Sequence, residues 1–204
     1  MGRGPGARHQ ERRAQIADAV LAIVAERGLS AVSQSAVAAR AGVSQGRVQH
    51  YFPAKQRLIE AAFERGNALS RARIRELVGR DLDTARPRDV LTTVLTELVP
   101  HDEATRAHLR VRQAFTARAL ADEAIAARLR EDYAVFHGQI ADLLRRDREA
   151  GAVPGDADPH AAAVRLVGLA EGLAYYVLIG VSAPEDAREQ ILAAIAHVYG
   201  ERAP

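Results

Sequence analysis

Residues 41–55 read AGVSQGRVQHYFPAK, and this stretch decides the fold. Ser44 stands where an N-cap accepts a bond from an orphan helix amide. Val43 and Val48 stand at the N′ and N4 positions of a hydrophobic staple. The same plan occurs just upstream, where Val32-Ser33 is followed by Val37. Gly42 supplies the left-handed residue that a sharp turn between the two requires. Ala36, Ala38, Ala39 and Ala41 are small enough to let two short helices cross closely. The pattern predicts helices over 33–40 and 44–51, joined as a helix-turn-helix.

The second of these helices divides by face. Val48 and Phe52, four residues apart, point to the core, while Gly46, Arg47, Gln49 and His50 share the opposite face with Gln45 and Tyr51 at its edges. No acidic residue stands between Glu26 and Glu60, so this is not an ordinary solvated face. Arginine pairs with guanine O6 and N7, and glutamine with adenine N6 and N7. Gly46 leaves room for the backbone to approach a groove floor. Lys55 is the one lysine among 28 basic residues. With Pro53 as the first residue of the next helix, Lys55 falls at N3, where a cation is disfavoured unless a phosphate docks on the same helix end.

At these residues the sequence resembles the TetR family of transcriptional regulators. V-A-A-R-A-G-V-S-Q-G-R-V (37–48), H-Y-F-P-A-K (50–55) and Leu58 carry the resemblance, which extends over residues 10–60. It implies an all-α fold: a three-helix DNA-binding domain, expected over 10–57, followed by a helical ligand-binding and dimerisation domain over 58–204, about nine helices in all. It also implies a DNA-facing set of Ser33, Gln34, Ser35, Ser44, Gln45, Arg47, Gln49, His50, Tyr51 and Lys55. The scaffold set is Val37, Ala38, Ala41, Gly42, Val43, Val48 and Phe52. Gln49 stands where the family usually has tyrosine, and Ser35 where it often has a longer polar residue.

Around this centre the chain reads as helical. Residues 1–9, rich in Gly, Pro and Arg, are expected to form a disordered basic arm. Ile16, Val20, Ile23 and Val24 mark one face of a first helix that stops at Gly28. A fourth helix is expected from Pro53 to about Arg80, with Ile59, Ala62, Phe63, Ile74 and Leu77 turned inward. Beyond a break at Asp81–Arg88, helices are expected near 88–98, 102–119, 122–149, 157–180 and 185–199. The composition agrees, being 48% hydrophobic but 4% aromatic, without tryptophan.

Charge is unevenly spread. Residues 1–80 carry 14 basic and 6 acidic side chains, residues 81–204 carry 14 basic and 20 acidic. One end is built to meet a polyanion and the other is not. The absence of cysteine excludes disulfides and thiolate metal sites. No apolar signal core follows the basic start, and the apolar run from Val164 to Val181 contains Arg165 and Glu171. That run reads as a buried helix rather than a membrane span. A cytoplasmic protein with no membrane partner is expected.

In the acidic remainder, 165–180 and 185–199 look like the family's dimerisation pair, and the layout is loosely similar to the branch typified by the betaine-pathway repressor. Leu166, Val167, Leu169, Leu173, Val177, Ile191, Leu192, Ile195 and Val198 make two helices too apolar to cover each other. A homodimer sharing a four-helix bundle is expected, and with it a palindromic operator in double-stranded DNA. Tyr133, Phe136, His137 and Ile140 form a stripe on one helix face. With His108, Arg112, Phe115, Glu171 and Tyr175 they are candidates to line a cavity for an unknown small-molecule effector. No cofactor or metal is expected. No nucleophile elbow, phosphate loop or HExxH occurs, and His101-Asp102-Glu103 reads as an acidic first turn, so no enzyme is expected. A helical small-molecule-binding module, or an enzyme without a transcriptional role, is the alternative.

Overall fold

The computed structural model describes residues 5–79, 84–155 and 158–201, and among these it is all helical. The helices are α1 (Pro5–Arg27), α2 (Gln34–Ala41), α3 (Gln45–Tyr51), α4 (Lys55–Val78), α5 (Pro87–Glu97), α6 (Glu103–Arg118), α7 (Glu123–Glu149), α8 (Pro159–Leu178) and α9 (Pro184–Val198), with a 3-10 turn at Leu29–Ala31. Every expected helix is present, most within two residues of its expected ends.

Two starts differ. α1 begins at Pro5, so residues 5–9 are helical and not a disordered arm; residues 1–4 lie outside the described part. The ordering comes from contacts with distant residues, since the His9 ring lies 4.8 Å from that of Tyr51. α4 begins at Lys55, because the Ala54 carbonyl accepts the amides of Arg57 and Leu58 and so caps the helix. Lys55 is therefore N1, not N3. Its amide remains among those without an intrahelical acceptor.

The described chain forms two compact units. The first comprises residues 1–69 with 102–123, the second 70–101 with 124–204. The boundary expected at 57/58 falls inside α4. The first turns of α4 stay with the DNA-binding helices because Leu58, Ile59, Ala62 and Phe63 are buried, and Phe63 stacks on Phe115 of α6 at 4.6 Å. Ile16, Val20, Ile23 and Val24 complete that core from α1. Arg65 closes its edge with a two-pronged pair to Asp18, at 2.7 and 3.0 Å.

In the second unit Leu91, Leu95, Ile140, Leu144, Ile191 and Ile195 form the centre. α8 is long and apolar enough to cross a membrane by length and composition. It is a core helix instead: Leu166, Val167, Leu173 and Val177 face this unit's own interior. Leu77, expected to point inward, is 66% exposed. The end of α9 and the residues just after it are tied down through Tyr199 and Glu201. Tyr199 donates to the buried carboxylate of Asp147 at 2.5 Å. Arg88 lies over the Tyr199 ring and pairs with Glu201 at 2.5 and 2.7 Å.

Candidate nucleic-acid interface

The turn is built as its residues dictate. Ser33 Oγ accepts from the Ala36 amide at 3.1 Å, and Ser44 Oγ from that of Arg47 at 3.2 Å. Gly42 takes φ 63° and donates back to Ala38 and Ala39. Val32, Val37 and Val48 are buried, and Val43 is half-buried. Phe52 closes α3 beneath, buried and covered by the guanidinium of Arg13 at 4.8 Å from the ring centroid.

This packing leaves Gln45, Gly46, Arg47, Gln49 and His50 exposed together on α3, with Lys55 exposed at the start of α4. Ser44 and Ser35 are exposed at the two helix starts, Ser35 with its hydroxyl 3.2 Å from that of Ser33. Tyr51 is half-buried between His9, His50 and Phe52. Gly46 meets nothing: a Cβ built there has no neighbour within 4 Å. Packing within the chain therefore does not explain this glycine, which costs the helix about 1 kcal/mol relative to alanine.

Gln34 departs from the expected DNA-facing set. Its amide donates to the Phe52 carbonyl at 2.9 Å, and its Oε1 is buried with no partner among the described residues. It ties the start of α2 to the end of α3 instead of facing outward. The backbone carbonyl exposed by the end of a short helix recruits it, a contact eighteen residues away along the chain.

The residues expected around an effector are distributed over both units. Phe115 is buried against Phe63, and His108 Nε2 lies 3.0 Å from Asn67 Oδ1, so both are packed within the first unit. Arg112 is half-buried on the same helix, its carbonyl accepting from Thr116. In the second unit the Tyr133 hydroxyl donates to Glu171 at 2.8 and 2.9 Å, and the Tyr133 and His137 rings lie 5.7 Å apart. His160, not singled out from the sequence, joins edge-on to His137 at 6.3 Å. Its position in the first turn of α8, after Asp158 and Pro159, carried no signal of that contact. Phe136 packs against the core of the second unit, and Tyr175 is 45% exposed.

Most of the expected dimer residues are packed within the chain itself. Leu166, Val167, Leu173, Val177, Ile191 and Ile195 are buried in the chain's own core, and Val198 packs against it; Leu192 alone is exposed. The uncovered apolar face of α8 lies elsewhere, at Val164, Leu169, Tyr175, Tyr176 and Ile179. α8 is apolar nearly all round, so periodicity does not say which stripe meets its own unit.

Two capped helices about a left-handed glycine, with a basic acid-free outer face, define a helix-turn-helix DNA-binding protein. Residues 16–62 match the bacterial regulatory proteins of the tetR family, and residues 87–200 the C-terminal domain of BetI-type transcriptional repressors. The chain belongs to the TetR family of transcriptional regulators. It is 30% identical over 177 residues to the HTH-type transcriptional regulator PksA of Bacillus subtilis, covering 84% of this chain and 80% of PksA. Among solved structures, a TetR-family regulator from Rhodococcus sp. aligns at TM-score 0.76 and 30% identity, over 93% of this chain and 99% of its own. A regulator from Saccharomonospora viridis, solved in complex with choline, aligns at TM-score 0.78 and 24% identity over 92% and 97%. The chain is a DNA-binding regulator and not an enzyme.

Proposed function

We propose that the protein is a ligand-responsive repressor that binds a palindromic operator as a homodimer in the cytoplasm. The observation that carries this reading is the outer face of α3, where Arg47 and Gln49 stand exposed on either side of an open Gly46 position. Arg47 and Gln49 read base edges. Lys55 and the first amides of α4 hold a phosphate, and Ser35, Ser44, Gln45, His50 and Tyr51 border the same surface. Repression is supported by the match to BetI-type repressors.

The uncovered α8 face at Val164, Leu169, Tyr175, Tyr176 and Ile179, with Leu192 of α9, supports the homodimer, because a second copy removes that apolar surface from water. The effector is a small molecule held in the second unit beside Tyr133, His137 and Glu171. It weakens operator binding only by preferring the non-reading conformation, with a typical coupling of about 1–3 kcal/mol.

Selection of bound duplexes from a randomised pool tests the reading. Recovered sites are expected to show two-fold symmetry, with half-sites about one helical turn or more apart. Sites without symmetry, or a monomer by light scattering, would overturn it. A thermal-shift screen, with each hit titrated against the protein–DNA complex, tests the effector. Compounds that bind but leave operator affinity unchanged would remove ligand control.

A further inference from the structure

α1 continues well upstream of its first core residue. None of residues 6–15 is buried, yet the helix is unbroken to Ile16. Short exposed helical turns are not stable by themselves, so contacts must hold these in place. Three do so. The His9 ring lies 4.8 Å from Tyr51, the Arg13 guanidinium lies 4.8 Å from the Phe52 centroid, and Gln15 Nε2 donates to the Ala41 carbonyl at 2.8 Å. The start of α1 is thus fastened to the end of α3 and to the turn before it.

Helical spacing separates two stripes. His9, Arg13 and Ile16 fall at i, i+4 and i+7 and pack on the end of α3 and the core. Arg8, Arg12 and Gln15 share the same spacing on the adjoining face, which borders the turn. Arg12 is held in place, since its Nη1 donates to Gln15 Oε1 at 2.6 Å. Arg8 lies at the end of the first turn of α1, where a cation opposes the helix dipole, and Glu11 is the one acid before Asp18. The arrangement of Arg8 and Arg12 suits an external anion in line with α3.

We propose that the start of α1 is a second DNA-contacting element. Arg8 and Arg12 grip backbone phosphates flanking the bases that α3 reads, and His9 acts as a positioning residue by stacking on Tyr51. This rests on α3 being the reading helix. It adds that the footprint of each subunit extends past its half-site. Duplex DNA is favoured over an acidic protein because the stripe is continuous with the exposed α3 face, and both border the same turn.

The test uses the full chain and the duplex recovered by selection, in two lengths: one ending at the outer edge of each half-site, one with about one further helical turn on each side. The R8Q/R12Q variant is expected to flatten the log–log salt dependence on the longer duplex by about 0.9 for each phosphate lost. On the short duplex it is expected to match the unaltered chain. His9→Ala is expected to weaken binding to the long duplex selectively, and His9→Phe to restore it by keeping a ring against Tyr51. An R8Q/R12Q salt slope equal to that of the unaltered chain on the long duplex would overturn the proposal. Arg47→Ala is run alongside. If it leaves base preference intact, the failure belongs to the α3 reading and takes this proposal with it. If it relaxes base preference while R8Q/R12Q has no effect, only the α1 contact is refuted.

Discussion

The imidazole of His108 rests on the backbone of Gly66, and its Nε2 donates to Asn67 Oδ1 at 3.0 Å. A Cβ at Gly66 would lie 2.0 Å from His108 Cδ2, so this glycine is what lets α6 approach α4. A helical glycine normally gains about 1 kcal/mol on becoming alanine, whereas overpacking costs about 1–3 kcal/mol. The clash wins. Gly66→Ala is expected to lower stability in urea unfolding, and His108→Ala in the same chain to return most of the loss. A Gly66→Ala variant as stable as the unaltered chain would show that the ring simply swings aside.

Arg47, Gln49 and Lys55 are expected to fail in different ways. Arg47→Ala or Gln49→Ala relaxes base preference at one position per half-site, at about 1–3 kcal/mol for each lost contact. Lys55→Ala weakens all sequences alike and flattens the log–log salt slope by about 0.9 per phosphate. Binding to a panel of single-base operator variants at several salt concentrations separates them. Altered base preference with an unchanged salt slope for Lys55→Ala would reverse its assigned role.

Gly46 gives an opposed pair of effects. Nothing lies within 4 Å of a Cβ there, so Gly46→Ala is expected to stabilise the chain by up to about 1 kcal/mol. The same methyl group holds the backbone of α3 off the DNA, so operator affinity is expected to fall. Thermal unfolding and binding titrations on one preparation check both. Unchanged affinity would mean that the backbone does not approach the groove.

Tyr199 links stability to alkaline pH. Burial, with the bond to Asp147, pushes its hydroxyl well above the ordinary 10.0. A raised native value means full stabilisation below pH 10, lost as pH rises toward the native value while the unfolded chain gives up its proton. Tyr199→Phe is expected to remove this alkaline loss. Near neutral pH it is expected to cost about 1–3 kcal/mol, because Asp147 stays buried without its donor. Denaturant midpoints from pH 7 to 11 measure both.

Glu201 acts at the other extreme. The paired Arg88 guanidinium holds its carboxyl below the ordinary 4.5 at the protein surface. A lowered native value means the pair's contribution is present above the ordinary value and lost as pH falls through the native one. The melting-temperature gap between the unaltered chain and Glu201→Gln is expected to be small, constant at neutral pH, and to close in acid. A gap that widened in acid would refute the pairing.

What the sequence determined by itself is the part held by neighbours along the chain. Ser33 and Ser44 as caps, Gly42 as the turn, Val48 and Phe52 inward and Arg47 and Gln49 outward all follow from contacts a few residues long, which spacing records directly. Tertiary structure decided the rest. Gln34 turned from a DNA-facing candidate to an internal tie because the Phe52 carbonyl needed a donor. Phe115 stacks on Phe63, a partner fifty-two residues away that no local spacing records. The first turns of α1 were ordered by the Tyr51 and Phe52 rings. α8 shows the reason most plainly: apolar on nearly every side, it has many stripes fit to be buried. Which stripe meets its own unit and which is left for another molecule depends on where α5, α7 and α9 pack, and no periodicity within α8 encodes that.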